Sequence, residues 1–369
     1  MPGRSRTSVV LGWFLASRLV IAALGVIGVA TFVDSRALTV TDNLAALNPQ
    51  TAWNKWDVQS YARVAEQGYR ADPGDVQGQA KAGYFPLYPA IVGALKSVTS
   101  GASFFWVGVV ASNVFTLAAL LLLVYGLTDT WDLASRAVAL VMMSAGSFYL
   151  SIPYAEGLFL LLVVGTLVAT RKGAYEVAGL LAGLAATTRA HGFALIAVPA
   201  VACWLDARVP ATRRWLRVAA TAALFAFPIL VYFAYLSRET GSWMAFLSRQ
   251  EAWQNPSPYP FRAIVGLTEH PRWIAGWIHG ATWFLYAGLL IRYRRRMPLG
   301  DALFCAGALL ISTQQLSFQG IYRYVVPLVP LTLALARDRD DVRRGVIAFN
   351  LVLGVLMILA FVTWNRLTV

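Results

Sequence analysis

From Val107 to Leu127 the chain contains no Asp, Glu, Lys or Arg. A run of that length approaches the roughly 20 apolar residues needed to cross a bilayer. Leu158–Ala169 is a second uncharged run, and further apolar stretches recur to the C-terminus. Only a helix satisfies its own backbone polar groups without an edge or a closed barrel, so such runs predict membrane-embedded helices. Composition agrees: 58% of residues are hydrophobic and 13% charged, about half the usual charged fraction of about 25%. These features exclude a soluble enzyme, a disordered scaffold and a secreted disulfide domain.

The net charge of +13 does not point to nucleic acid, because the basic residues sit in short loops between apolar segments. Arg213, Arg214 and Arg217 form one group, Arg292 and Arg294–Arg296 a second, and Arg337, Arg339, Arg343 and Arg344 a third. This pattern orients a polytopic membrane protein with those loops in the cytoplasm. Cys203 and Cys305 lie inside apolar segments and read as small buried hydrophobes, with no disulfide or metal framework. Arg4 and Arg6 precede an apolar run that lacks a signal-peptide cleavage site, so it is expected to remain as the first helix.

Charge bias and parity predict about 11 helices in one membrane domain over 1–369. The expected segments are about 9–33, 104–127, 135–150, 154–170, 174–188, 191–205, 216–237, 273–291, 299–316, 324–336 and 345–364. Segments 174–188, 191–205 and 324–336 are short for independent spans, which leaves room for tilt or a break. Two long segments, 34–103 and 238–272, fall on the extracytoplasmic side. Both are rich in Trp, Tyr, Pro and acids, unlike a disordered linker. The first is expected to carry juxtamembrane helices, one of them opened by Tyr84-Phe85-Pro86-Leu87-Tyr88-Pro89.

The candidate chemistry gathers at that outer face. In Trp53-Asn54-Lys55-Trp56-Asp57-Val58-Gln59-Ser60-Tyr61, helical spacing sets aromatics beside a single carboxylate. An interfacial helix with a capping Asp would look the same; the functional alternative is a general base between rings that bind a sugar face. Tyr154-Ala155-Glu156 is either an acidic first helical turn or a ligand contact. Thr188-Arg189-Ala190-His191 places a cation and an imidazole at the outer boundary, where Arg snorkels to water or grips a phosphate bidentately. Arg323-Tyr324 carries the same two readings. Gln250 and Trp253 supply an amide and an aromatic face of the kind used for carbohydrate. Arg18, well inside helix 1, is a functional candidate by depth, though its cytoplasmic half favours snorkelling.

In order along the chain, these pieces resemble the PIG-V-like family of membrane mannosyltransferases (GPI mannosyltransferase 2 and its bacterial relatives), within the GT-C superfamily. The resemblance rests on Ser17-Arg18-Leu19, Trp56-Asp57 with Gly68-Tyr69, Phe85-Pro86-Leu87-Tyr88-Pro89 and Tyr154-Ala155-Glu156-Gly157-Leu158-Phe159. It continues through Ala178-Gly179 to Thr188-Arg189, Gln250 with Trp253, and Arg323-Tyr324 with Pro327. It implies an all-α polytopic bundle of GT-C type and an inverting glycosyltransferase. The implied donor is a polyprenyl-phosphate sugar, mannose by the family pattern, and the acceptor is a lipid-linked or cell-envelope glycan.

By the same resemblance Asp57 is the catalytic base, and Arg189 and Arg323 bind the donor phosphate. Trp56, Tyr61, Tyr88, Glu156, His191, Gln250, Trp253 and Tyr324 contact substrate. Most enzymes of this kind act without a bound metal, so no cofactor is expected. The site would face the extracytoplasmic side of a multi-pass protein (in the plasma membrane if the protein is bacterial), with the lipid bilayer as partner and no nucleic acid. Two other readings of the sequence are a transporter or flippase of a lipid-linked sugar and a non-catalytic subunit of an envelope glycan complex.

Overall fold

A computed structural model describes residues 5–32, 49–70, 81–252, 259–314 and 318–363, the side chains of 51, 81 and 249–252 excepted. All regular structure among these residues is helical. In chain order the helices are α1 Arg6–Phe32, α2 Pro49–Trp53, α3 Asp57–Gln67, α4 Leu87–Val98, α5 Phe104–Leu127 and α6 Trp131–Met142. There follow α7 Glu156–Arg171, α8 Tyr175–Ala186, α9 Ala197–Leu205, α10 Ala211–Thr240, α11 Ala245–Ala252 and α12 Arg262–Glu269. The last are α13 Ile274–Tyr293, α14 Leu299–Ile311, α15 Ile321–Tyr324, α16 Val329–Ala336 and α17 Asp340–Val362.

Five of the described helices are long and apolar enough to cross a membrane: α1, α5, α10, α13 and α17. The protein is a polytopic helical membrane protein, and each of the eleven expected segments corresponds to one of these helices or to a broken pair. Helices α2, α3 and α4 occupy the first long loop, as expected of juxtamembrane helices.

The ends of the bundle differ in character. At one end Arg6 donates to the Thr128 carbonyl (3.1 Å) and Arg171 to that of Leu127 (3.3 Å), joining the start of α1 to the ends of α5 and α7. Arg292 and Arg296 there meet Asp338 at 3.1 and 3.2 Å. The opposite end carries α3, the start of α7 and the end of α8. Helix packing in the middle relies on small residues. A Cβ on Gly179 or Gly183 would collide with the α10 carbonyls of Thr221 and Phe225, so this small-xxx-small stripe lets α8 lie backbone to backbone on α10.

Three of the expected segments are broken: 191–205 and 324–336, whose shortness leaves room for it, and 135–150, which is expected as one helix. Segment 135–150 gives α6 and then a short 3₁₀ turn at Ser147–Leu150; 191–205 is a 3₁₀ turn at Ala190–Ile196 running into α9; 324–336 separates into α15 and α16. Irregular backbone inside a membrane bundle persists only where protein satisfies its polar groups. For the break between α6 and α7, α5 and α1 do this. Thr116 Oγ1 donates to the Leu150 carbonyl (3.0 Å), Asn113 Nδ2 to that of Ser151 (2.9 Å), and Ser112 Oγ to that of Tyr154 (3.1 Å).

Arg18 completes the set and corrects the snorkelling reading. Its guanidinium turns inward, donating to Asn113 Oδ1 (2.7 Å) and the Leu150 carbonyl (3.2 Å), above the Phe14 ring at 4.2 Å. The Leu150 carbonyl freed by the break, together with an amide oxygen, gives this cation better partners than a reach along an apolar helix would.

Candidate active site

The breaks bring four charged side chains together at the end of the bundle away from the basic loops. Asp57 opens α3 and Glu156 opens α7; Arg189 lies just past the end of α8, and Arg323 sits in the short α15. Asp57 Oδ2 accepts from Arg323 NH1 at 2.8 Å, and Glu156 Oε1 accepts from Arg189 NH1 at 2.6 Å. Arg323 Nε stands 3.9 Å from the same Glu156 oxygen. The four thus alternate in sign: Asp57, Arg323, Glu156, Arg189. Their side chains are 11%, 14%, 1% and 11% exposed, so the charges compensate one another with little help from water.

Aromatic rings wall the cluster. Tyr324 lies between the cations, 5.1 Å from the guanidinium carbon of Arg323 and 4.9 Å from that of Arg189, and its hydroxyl accepts from Arg323 NH2 at 3.0 Å. Tyr149 lies beneath Arg323 at 5.4 Å. Such faces stabilise guanidinium groups while leaving their edges free for anions. His191 packs on Tyr324 at 4.4 Å between ring centroids, its Nε2 3.0 Å from Ser312 Oγ. Tyr61, one turn along α3 from Asp57, meets the rings of Tyr84, Tyr88 and Tyr154 edge-on at 5.3–6.0 Å.

Most of the residues singled out in the sequence are therefore assembled in one place: Asp57, Tyr61, Glu156, Arg189, His191, Arg323 and Tyr324. Trp56 is beside them and half-buried. Tyr88 is set back; its hydroxyl is 2.9 Å from Ser112 Oγ on α5, and its ring packs against Tyr61 at 5.3 Å. The Gln250 side chain and Trp253 lie outside the described residues.

Sequence reasoning named the motifs but missed three side chains in contact with the acid–base pairs. Tyr84 donates to Asp57 Oδ1 at 3.3 Å. Tyr154 accepts the Asp57 backbone N–H at 3.2 Å. Tyr149 belongs to Phe148-Tyr149-Leu150, which reads as a continuous apolar helix until the break is seen. Lys55 is also buried, its ammonium bonded to the carbonyl of Val362 at the end of α17, and burial pulls its pKa down to about 8.

Two polar atoms of the cluster, Glu156 Oε2 and Arg323 Nε, are buried without a hydrogen-bond partner among the described residues. One is an acceptor and the other a donor, and leaving such groups unpaired is costly. The arrangement offers two adjacent guanidinium groups for an anion, a carboxylate for a proton, and ring faces with one open acceptor and one open donor for a polar ligand.

No family model matches the chain, and no curated protein matches it. Among solved structures it is similar to the crystal structure of ArnT from Cupriavidus metallidurans bound to undecaprenyl phosphate, at 13% identity and a TM-score of 0.48. That alignment covers 91% of this chain and 62% of the other, so the chain spans about three fifths of that protein's length.

Proposed function

We propose that the protein is an inverting membrane glycosyltransferase of GT-C type. It transfers a sugar, mannose by its PIG-V-like motifs, from a polyprenyl-phosphate donor to a lipid-linked or cell-envelope glycan acceptor. The observation that carries this reading is the alternation of Asp57 and Glu156 with Arg323 and Arg189 in one buried, aromatic-walled cluster. A transporter of a lipid-linked sugar also needs cations for the phosphate, but it needs access from both faces and no essential base.

In the reaction, Asp57 takes the proton of an acceptor hydroxyl as its oxygen attacks the anomeric carbon from the side opposite the phosphate. The bond between that carbon and the phosphate oxygen breaks, and its electron pair leaves with the lipid phosphate. Arg189 and Arg323 meet the charge that grows there. Asp57 ends protonated and the configuration is inverted. Before donor binds, Arg323 is committed to Asp57. A donor phosphate that draws the guanidinium toward itself frees the carboxylate for its proton. Glu156 keeps Arg189 oriented and offers its second oxygen to a sugar hydroxyl.

Charge supports an extracytoplasmic site. Arg6, Arg171, Arg292, Arg296 and Arg343 gather at the end opposite the cluster, and Lys/Arg-rich loops are retained in the cytoplasm. On this reading the cluster faces the extracytoplasmic side, where the donor phosphate is presented.

The test is transfer from radiolabelled polyprenyl-phosphate mannose in membranes that express the wild type or Asp57→Asn, supplied with acceptors from the native host. Label in a new product with the wild type alone supports both the transferase and its base. Equal transfer by both keeps the enzyme and removes Asp57 from the chemistry. Movement of the labelled lipid across sealed vesicles without transfer would favour a flippase.

A further inference from the structure

We infer that Tyr154 is a positioning residue for the base: its hydroxyl clamps the peptide on both sides of Trp56 and so aims the Asp57 carboxylate at Arg323 and the substrate. The inference rests on Asp57 being the base, and it starts from a backbone anomaly. Trp56 has φ 57° and ψ −124°, a conformation that residues with a Cβ rarely adopt. Strain of this kind persists only where the surroundings over-determine it.

The Tyr154 hydroxyl is in position to do so. It accepts the Asp57 N–H at 3.2 Å and donates to the Lys55 carbonyl at 3.4 Å. Those groups belong to the residues on either side of Trp56, so one oxygen bridges the strained turn and uses both its lone pair and its proton. Tyr154 is itself fixed: it is 1% exposed, its ring lies 4.7 Å from that of Tyr149, and its carbonyl accepts from Ser112 Oγ. Asp57 is the first residue of α3, so the peptide that Tyr154 holds sets the direction in which the carboxylate leaves the helix. Without the clamp, relaxation at Trp56 rotates that peptide and turns the carboxylate from its place.

The experiment combines Tyr154→Phe, which removes one oxygen from a buried ring, with Trp56→Gly and Trp56→Ala. Both substitutions at 56 delete the indole, but only glycine accepts the positive φ without strain. Transfer from polyprenyl-phosphate mannose is measured in native membranes. With Trp56 present, Tyr154→Phe should lower kcat about tenfold at unchanged donor KM, the effect of releasing strain of this size. In the Trp56→Gly background the same change should cost less than about twofold, and in the Trp56→Ala background about tenfold again. Equal losses in all three backgrounds, or a rise in KM at constant kcat, would overturn the clamp.

Hydrogen–deuterium exchange over residues 54–61 supplies a readout that needs no turnover. It should rise in Tyr154→Phe, whose Asp57 amide has lost its acceptor, and unchanged exchange counts against the inference. If Asp57→Asn retains full transfer, the reading of Asp57 fails. If Asp57→Asn is inactive while Tyr154→Phe keeps wild-type kcat, only the clamp fails. If the wild type transfers no label, the exchange result still decides the clamp.

Discussion

Arg323 NH1 lies 2.8 Å from Asp57 Oδ2, so the proposed base is held by a proposed phosphate ligand. Both side chains are largely buried, and removing one member of a buried pair leaves the other uncompensated. Asp57→Asn is therefore expected to abolish transfer and also to destabilise the protein by about 3 kcal/mol. Pairing it with Arg323→Gln should restore part of that loss, with a coupling energy of about 1–3 kcal/mol in a thermal-denaturation cycle, because the double variant strands no charge. Additive losses would mean that the pair does not exist in the membrane.

Arg189 makes a different prediction because its partner, Glu156, is not the base. Its NH1 is 2.6 Å from Glu156 Oε1, and its guanidinium carbon lies 4.9 Å over the Tyr324 ring. Lysine keeps the charge but loses the planar fork that matches a phosphate. In Arg189→Lys the KM for the polyprenyl-phosphate donor should rise about tenfold or more, with the acceptor KM unchanged. An unaltered donor KM would remove Arg189 from phosphate binding.

The membrane class, the segment order and the polarity of the ends were legible because hydropathy and basic loops act over many residues. Asp57, Glu156, Arg189 and Arg323 stood out one at a time, as charges beside apolar runs. What joins them was not legible. The break after α6 depends on Ser112, Asn113 and Thr116 of α5 and on Arg18 of α1, which take up its carbonyls from 34 to 132 residues away. No local signal near residue 145 announces those partners. For the same reason Arg18 reads as a snorkelling cation in isolation, and Tyr149 as one more apolar helix residue. Tyr84 and Tyr154 lay in recognised motifs, but their roles depend on the peptide and carboxylate of Asp57, which only the folded chain brings near.

Gly146 shows how closely that break sets the site. A Cβ built there would overlap the Tyr322 carbonyl and come within 2.6 Å of Arg323 Cα. Backbone cannot swing aside as a flexible side chain does, so Gly146→Ala should push α15 and displace the Arg323 guanidinium. A misplacement on the scale of 1 Å can cost about 10²-fold in rate, and kcat for transfer should fall by about that factor. Gly354→Ala is the comparison: its Cβ would approach only Ala145, no nearer than 3.4 Å, and activity should change less than about twofold. Equal behaviour of the two variants would separate Gly146 from the site.

Asp338 tests the opposite, basic end of the bundle, and there the expected outcome depends on pH. Its carboxylate accepts from the Tyr293 hydroxyl and pairs with Arg292 at 3.1 Å and Arg296 at 3.2 Å, while Arg343 donates to its carbonyl. The Tyr293 hydroxyl, the Arg339 backbone N–H and the two guanidinium groups hold it well below the usual carboxylate range, against the opposing cost of burial. A carboxylate depressed in the fold stabilises it fully above the unfolded-state pKa of about 3.9 and loses that contribution as pH falls toward the folded value. Asp338→Asn should lower the melting temperature by about 2–4 °C at pH 7. The gap between wild type and variant should stay constant from pH 7 down to about 5 and close below about 4. A gap that instead widened on acidification would mean that Asp338 is protonated in the folded protein and that the basic end is held together by other contacts.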